Sequence, residues 1–454
     1  MEQINTICAI STPPGRGGIA VVRISGPEAI AISNRIWRGR SLEAVDSHTA
    51  HLGKVLDSCN NVLDQAVATV YRNPRSFTGE DVVEFSIHGS TYIQKALLDA
   101  LIAKGCHVAQ PGEFTRRAFI NGRLDLAEAE AVADVIASSS KAAHSLAISQ
   151  LQGQFSANIA RLRDRLIELA SLLELELDFS EEDVAFADRS KLRSLAEQII
   201  SHVTKLSDTF ESGNAIRQGV PVAIVGRPNA GKSSLLNRLL GVDRAIVSDI
   251  PGTTRDTIED STDIQGITFR FIDTAGLRST ADPIEALGIK RAYSSLSSAR
   301  IILFLCDPES SEKENQDNLS DIYNHTAPGA SVFIIRSKCD LLKDSCTVLP
   351  DNELLVSAKT GEGIEKLCEK LYAAASCGLP SDESLIVTNA RHQAALLIAK
   401  KSLSELLTGM DNGLPTDLLA EHLRDAIEAL GSITGQITSS TILETIFSRF
   451  CIGK

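Results

Sequence analysis

The sequence predicts a multidomain α/β plus α protein: an N-terminal mixed α/β domain, a discontinuous helical domain, and an α/β domain inserted between its halves. Three observations carry this. Short apolar or alternating runs separated by turns fill residues 1–120, the texture of strands. Apolar residues at steps of three and four dominate residues 121–217 and again 379–454, the texture of helices packed on one side. Between them, residues 218–378 alternate apolar strands with helical stretches, as a parallel sheet with crossover helices requires.

Taken in order, Ile19–Ile24 and Gln65–Tyr71 read as strands, Asp81–Ile87 alternates polar and apolar, and Tyr92–Ala103 reads as a helix ending before Gly105. In the first helical stretch Leu151, Phe155, Ile159, Leu162, Leu166, Leu169, Leu173 and Leu177 mark one helix face. That face is either bundle core or a dimer seam. In the inserted segment Val222–Val225, Thr268–Ile272, Ile301–Leu305 and Val332–Ile335 read as strands, with a helix over Ser234–Leu240. Helical texture resumes at Asn389. Leu418, Leu419, Leu423, Ile427 and Leu430 are expected to line one face, followed by Ile442, Ile446, Phe447 and Phe450. Insertion of one compact domain into another is tolerated where the host's chain ends lie close together.

Composition narrows the function classes. A chain of 454 residues is too long for one ordinary core. Aromatic residues make up 4% and the net charge is -13, which argues against stacking platforms for single strands and against gripping nucleic acid over the whole surface. No apolar run approaches the ~20 residues that span a bilayer, and Met1–Asn5 lacks the start of a signal peptide. The nine cysteines are scattered without a C-x-x-C pair. Reduced thiols in a cytoplasmic protein, away from membranes, are the expectation.

The chemistry lies in the inserted segment. Gly226-Arg227-Pro228-Asn229-Ala230-Gly231-Lys232-Ser233 matches G-x-x-x-x-G-K-[ST] between a strand and a helix that begins near Ser234. Such a loop curls backbone N–H groups around phosphates, at the positive end of the new helix. Lys232 reaches the β- and γ-phosphates and Ser233 ligates Mg²⁺. Gly252-Thr253-Thr254-Arg255-Asp256 lies where a loop brings a threonine to Mg²⁺. Asp273-Thr274-Ala275-Gly276 follows a strand, with Asp273 reaching Mg²⁺ through water and the Gly276 N–H sensing the γ-phosphate.

Base choice falls to Ser337-Lys338-Cys339-Asp340 and Ser357-Ala358-Lys359. The Asp340 carboxylate matches guanine N1–H and the 2-amino group, which adenine lacks, and Lys338 lies along the base plane. Serine replaces the asparagine usual before that lysine, at a cost of ~1 kcal/mol for one hydrogen bond. A main-chain N–H of the second segment meets the base oxygen. The expected nucleotide is GTP, not ATP. Leu277 stands where many such proteins place a water-orienting glutamine. The side-chain oxygen of Asn229 offers another route, holding a monovalent cation beside the phosphates as an arginine finger would place its charge.

Together with Thr12–Gly18, Phe77–Asp81, Pro111–Phe114 and the terminal Phe450-Cys451-Ile452-Gly453-Lys454, these segments resemble the MnmE (TrmE) family of tRNA-modification GTPases over the whole chain. The resemblance implies a Ras-like P-loop G domain inserted in the helical domain, and an N-terminal folate-type domain that forms a homodimer. It implies K⁺ activation through Asn229, Ser248, Ile250 and Thr253, with Mg²⁺ on Ser233 and Thr254. The nucleotide contacts it implies run over 229–234, 248–254 (including Asp249, Pro251 and Gly252) and 273–276 (including Thr274 and Ala275). Formyl- or methylene-tetrahydrofolate would meet Arg23, Glu80, Arg123 and Lys454, with Arg123 where the family has lysine. Cys451 would be required for the modification chemistry.

Redox chemistry would come from a flavin-dependent partner, the flavoprotein MnmG, since this chain lacks a dinucleotide fingerprint of its own. The substrate would be tRNA, modified with 5-carboxymethylaminomethyl (or aminomethyl) at its wobble uridine. One departure is Lys290, where the family has a glutamate that orients the attacking water. A lysine has no acceptor for that task. Either Glu285 substitutes or hydrolysis is impaired, and Glu285 alone reads as a solvated helix-face charge. The rivals are a ribosome-assembly GTPase switch and a GTP-binding scaffold with impaired hydrolysis.

Overall fold

The computed structural model describes residues 5–178, 189–227, 229–241, 260–272, 296–308, 311–341, 350–377, 385–437, 440–448, 450–451 and 453. They form two compact units, one of residues 1–136, 150–174 and 423–454, the other of 137–149 and 175–422.

The first unit is built on a sheet of β1 (Ile7–Ile10), β2 (Gly17–Ser25), β3 (Trp37–Arg38), β4 (Thr49–Leu56), β5 (Val62–Tyr71), β6 (Val82–Gly89) and β7 (His107–Val108). Their order is β3-β4-β5-β6-β2-β1-β7, antiparallel throughout except for β1 against β7. Alternation decides the faces. Val22 and Ile24, Phe85 and Ile87, and Ala66, Ala68 and Val70 are buried in one core with Ile32 of α1 (Ala29–Arg35) and Leu97 and Leu101 of α2 (Thr91–Ala103). The residues between them, Arg23, Ser25 and Glu84 among others, therefore point to the opposite face.

Helices α3 (Glu113–Ile120) and α4 (Leu126–Ala137) follow, then α5 (Lys141–Leu151) and α6 (Gln154–Asp178). The leucine face is a core: Phe155, Ile159, Leu162, Leu166, Leu169 and Leu173 are all buried within the chain. Leu151 closes the preceding helix instead, because the chain turns at Gly153 in a left-handed conformation (φ 76°) that glycine adopts without strain. The side chain of Leu177 lies outside the described residues.

In the second unit α7 (Arg189–Asp208) and α8 (Phe210–Gln218) lead into β8 (Val220–Gly226) and α9 (Lys232–Leu240), then β9 (Asp260–Ile264), β10 (Ile267–Ile272), β11 (Ile301–Cys306), β12 (Ser331–Ser337) and β13 (Glu353–Val356). The strand order is β13-β12-β11-β8-β10-β9, parallel from β13 through β10 and antiparallel only at β9. Both faces are covered, as a parallel sheet demands. Val222 and Ile224 join one core with Leu235 and Leu367, while Ala223, Ile302 and Phe304 join another with Leu296 and Ile322.

The helix 390–411 starts where the Asn389 side chain accepts a hydrogen bond from the Arg391 N–H. The helix Thr416–Thr434 corrects the expected stripe. Leu419, Leu423, Ala426, Leu430 and Ile433 are buried, whereas Leu418 is 42% exposed and Ile427 only partly covered. Neighbours in a helix differ by about 100°, so Leu418 and Leu419 cannot share a narrow face. Ile442 is exposed, while Phe447 is buried and Ile446 and Phe450 pack beside it against Leu126 and Ala129.

Because Leu166 is fully buried, Leu166→Ala should cost the first unit about 2–5 kcal/mol. Chemical denaturation followed by circular dichroism checks this, with an unchanged midpoint counting against the core assignment.

Candidate functional site

Among the described residues, the P-loop, the Ser337–Asp340 segment and the Ser357–Lys359 segment follow the carboxyl ends of β8, β12 and β13. There β8 lies between β10 and β11, with Leu305 opposite Gly226. Ligand crevices form at this edge in open parallel sheets. Gly226 (φ 152°) is required by close approach: a Cβ would sit 2.6 Å from the Leu305 carbonyl oxygen. The chain then reverses through Asn229 (φ 64°) and Gly231 (φ 93°), both left-handed, and α9 begins at Lys232. Asparagine is among the few residues besides glycine that visit this region readily.

Within that turn Ala230 is buried, Asn229, Ser233 and Ser234 are exposed, and the Asn229 side chain makes no hydrogen bond among the described residues. Its oxygen and the Ser233 hydroxyl are hard donors suited to K⁺ and Mg²⁺ respectively. Lys232 Nζ donates to the carbonyls of Gly226 at 2.6 Å and Arg227 at 2.8 Å, which bends it over the loop. Burial pulls its amine below the ordinary lysine pKa.

Beside the loop is a cavity of about 270 Å³ whose walls include Gly231, Ser234, Ser337, Lys338, Asp340, Leu341, Ser357, Ala358 and Lys359. Ser337 Oγ donates to the Cys306 carbonyl at 3.1 Å, tying the end of β12 to that of β11. Lys338 holds a left-handed backbone (φ 57°), and its ammonium meets Asp307 Oδ2 at 2.7 Å. Asp340, in a single 3-10 turn, is exposed and accepts from Ser357 Oγ at 2.7 Å. The structure thus brings 229–234, 337–340 and 357–359 to one crevice. Ser248, Asp249, Ile250, Pro251, Gly252, Thr253, Thr254, Asp273, Thr274, Ala275, Gly276 and Glu285 lie outside the described residues, as do Leu277 and Lys290.

A second group of residues gathers in the first unit. Arg23 Nε donates to Glu84 at 2.7 Å, and its guanidinium lies 5.5 Å from the Phe77 ring centre and 5.6 Å from that of Phe114. Ser25, two residues along the same face, donates to Glu80 at 2.7 Å, and Arg117 reaches the same carboxylate at 3.2 Å and Glu113 at 2.9 Å. Arg123 packs its stem on Gly79, next to Glu80.

The chain's last segment docks here too. Gly112 N–H donates to the Cys451 carbonyl at 3.4 Å, and Ser11 Oγ to the Gly453 carbonyl at 3.1 Å. By register Glu80, held by Ser25, lies toward the Ile7 end of β1, Gly453 lies at the Ile10–Ser11 end, and Arg23, opposite Ala9, stands between them. Cys451 is an exposed thiol, and Lys454 lies outside the described residues. Sequence reasoning missed Ser25, Glu84, Arg117 and Asp307. The two-residue spacing of Arg23 and Ser25 was a readable signal for Ser25, but the others needed the sheet register and the packing of α3.

A phosphate loop and a base pocket ending in an exposed carboxylate held by Ser357, on the carboxyl edge of one parallel sheet, define a guanine-nucleotide-binding P-loop protein. Comparison with known proteins narrows the class. The family model described as "MnmE helical domain" matches residues 126–451, and that described as "GTP-binding protein TrmE N-terminus" matches residues 6–123. A tRNA modification GTPase MnmE of Cytophaga hutchinsonii is 47% identical over 99% of this chain and 98% of its own. One of Parabacteroides distasonis is 46% identical over 99% and 100%. The G domain of a T. maritima FeoB iron transporter aligns with 34% of this chain and 98% of its own at 25% identity, with a TM-score of 0.26, too low to add to the assignment. The chain belongs to the MnmE (TrmE) family of tRNA modification GTPases.

Asp340→Asn should reverse base preference, because an amide N–H₂ pairs with the 2-oxo group of xanthine and repels the 2-amino group of guanine. The expected result is a loss of at least tenfold in GDP affinity with a gain for XDP, read by fluorescent nucleotide titration. Retained GDP preference would remove Asp340 from the base-reading role.

Proposed function

We propose that this protein hydrolyses GTP to drive 5-carboxymethylaminomethyl (or aminomethyl) modification of the wobble uridine of certain tRNAs, acting with a flavin-dependent partner, MnmG. The observation that carries the reading is the joint crevice of P-loop and guanine pocket in a chain that aligns end to end with MnmE relatives. Among the described residues no helix is long and apolar enough to cross a membrane, which agrees with work on tRNA in the cytoplasm.

The nucleotide contacts proposed are residues 229–234, 248–254, 273–276, 337, 338, 340 and 357–359. Mg²⁺ would be held by Ser233 and Thr254, and K⁺ by Asn229, Ser248, Ile250 and Thr253. Bound there, the two cations supply positive charge where the phosphates develop negative charge. Lys232 serves the phosphates directly, turning from its carbonyl partners to anionic oxygens, an exchange that favours the charged amine.

In the N-terminal domain a formyl- or methylene-tetrahydrofolate fits Arg23, Glu80, Arg123 and Lys454. The aromatic rings of Phe77 and Phe114 beside Arg23 and the carboxylate held by Ser25 and Arg117 support this, since a flat, hydrogen-bonding ring needs both kinds of group. Cys451 enters the modification chemistry from the docked tail. The proposed division is 1–120 for the folate-type, homodimer-forming domain, 121–217 and 379–454 for the helical domain, and 218–378 for the G domain.

Lys290 and Ser337 favour a second reading, a GTP-binding scaffold with impaired hydrolysis. Turnover measured in K⁺ and in Na⁺ separates the two. An active enzyme is expected to run at least tenfold faster in K⁺, and Glu285→Ala to remove that gain if Glu285 orients the water. Equal, negligible rates in both salts support the scaffold, and an unaltered Glu285→Ala rate dismisses the substitution.

Mass spectrometry of wobble nucleosides tests the whole proposal. Cells lacking this protein should lose the carboxymethylaminomethyl uridine and regain it when the chain is restored. An unchanged nucleoside profile defeats the reading.

A further inference from the structure

We infer that Asp307 is a positioning residue for guanine recognition, fixing Lys338 along the base plane in a chain that lacks the asparagine usual at position 337. The inference rests on the guanine-nucleotide reading above. An asparagine amide offers two donors and an acceptor, enough to tie several loops together. A serine hydroxyl donates once, and Ser337 gives that bond to the Cys306 carbonyl at 3.1 Å while 7% exposed. The β11–β12 ends are thereby joined, and Ser337 has no second donor with which to restrain its neighbour as an amide would.

Lys338 needs such restraint. Its backbone is left-handed (φ 57°), a conformation a long side chain adopts only when its surroundings impose it. Its stem has several rotatable bonds that a bound base must find in one arrangement. Asp307 supplies the second anchor. It immediately follows β11, whose Cys306 pairs with Arg336 of β12, so register alone brings residue 307 opposite 337–338. The 2.7 Å contact joins a carboxylate that is 13% exposed to an ammonium that is 37% exposed. That shielding makes the pair stronger than an exposed surface bridge. With the backbone fixed at one end and the ammonium at the other, the methylene stem lines the 270 Å³ cavity on the same wall as Ser337. Asp307 is not among the residues that line that cavity, and it acts through Lys338.

Titration of a fluorescent GDP analogue into the full-length protein tests this with wild type, Asp307→Asn, Lys338→Met and the double variant. Asp307→Asn is expected to weaken GDP about tenfold, the size of one charge-assisted hydrogen bond. The ratio of GDP to IDP affinity should not move, because Asp340 reads the 2-amino group. Adding Asp307→Asn to Lys338→Met should cost nothing more, since a residue acting through Lys338 has nothing left to act on. The melting temperature of nucleotide-free protein should match wild type. Asp307→Asn binding GDP within twofold of wild type overturns the inference, as does an equal loss in the Lys338→Met background or a lowered melting temperature with intact affinity. Wild type that binds no GDP overturns the guanine reading itself, a result distinguishable from all of these.

Discussion

The nucleotide end of the molecule depends on the parallel pairing of β8 with β10 and β11. That pairing puts Gly226 against Leu305, leaves no space for a side chain, and makes the chain leave the sheet at one fixed point. Because the neighbouring strands run the same way, their own ends deliver Asp307, Ser337 and Ser357 to the same edge. Hydrogen bonds between those ends then turn a row of strand termini into a pocket: Ser337 to Cys306, Lys338 to Asp307, and Ser357 to Asp340. The recognition chemistry is secondary to the register that makes it possible.

The N-terminal sheet solves a different problem with the same rule of alternation. One face is packed by α1 and α2, and the other is free to carry charge. On that second face, partly covered by Phe114 of α3, Arg23 and Ser25 stand two residues apart, each paired with a carboxylate brought by another segment. Glu80 is satisfied by both a hydroxyl and a guanidinium, which holds its oxygens in place.

Much of this was legible in the sequence, for reasons that differ by element. The strand at 301–305 was readable because a strand flanked on both faces needs no polar residue, and the P-loop because its glycines answer to specific backbone angles. The core face of α6 was readable because its period persists for many turns. The stripe on 416–434 was half misread, since adjacent leucines at 418 and 419 look equivalent in a list of apolar residues and are 100° apart on a helix. The partners Glu84, Arg117 and Asp307 were not readable, because an acid or base on a strand or helix looks like any solvated charge until register gives it an opposite number.

The docking of residue 453 on Ser11 has a consequence for folding. The carbonyl of Gly453 is held by Ser11, 442 residues earlier, and a Cβ at Gly453 would sit 2.2 Å from the Ile10 carbonyl oxygen. A contact spanning so long a loop must overcome a large closure entropy before it is rewarded, so the Ser11–Gly453 bond belongs to the non-local contacts that folding makes late.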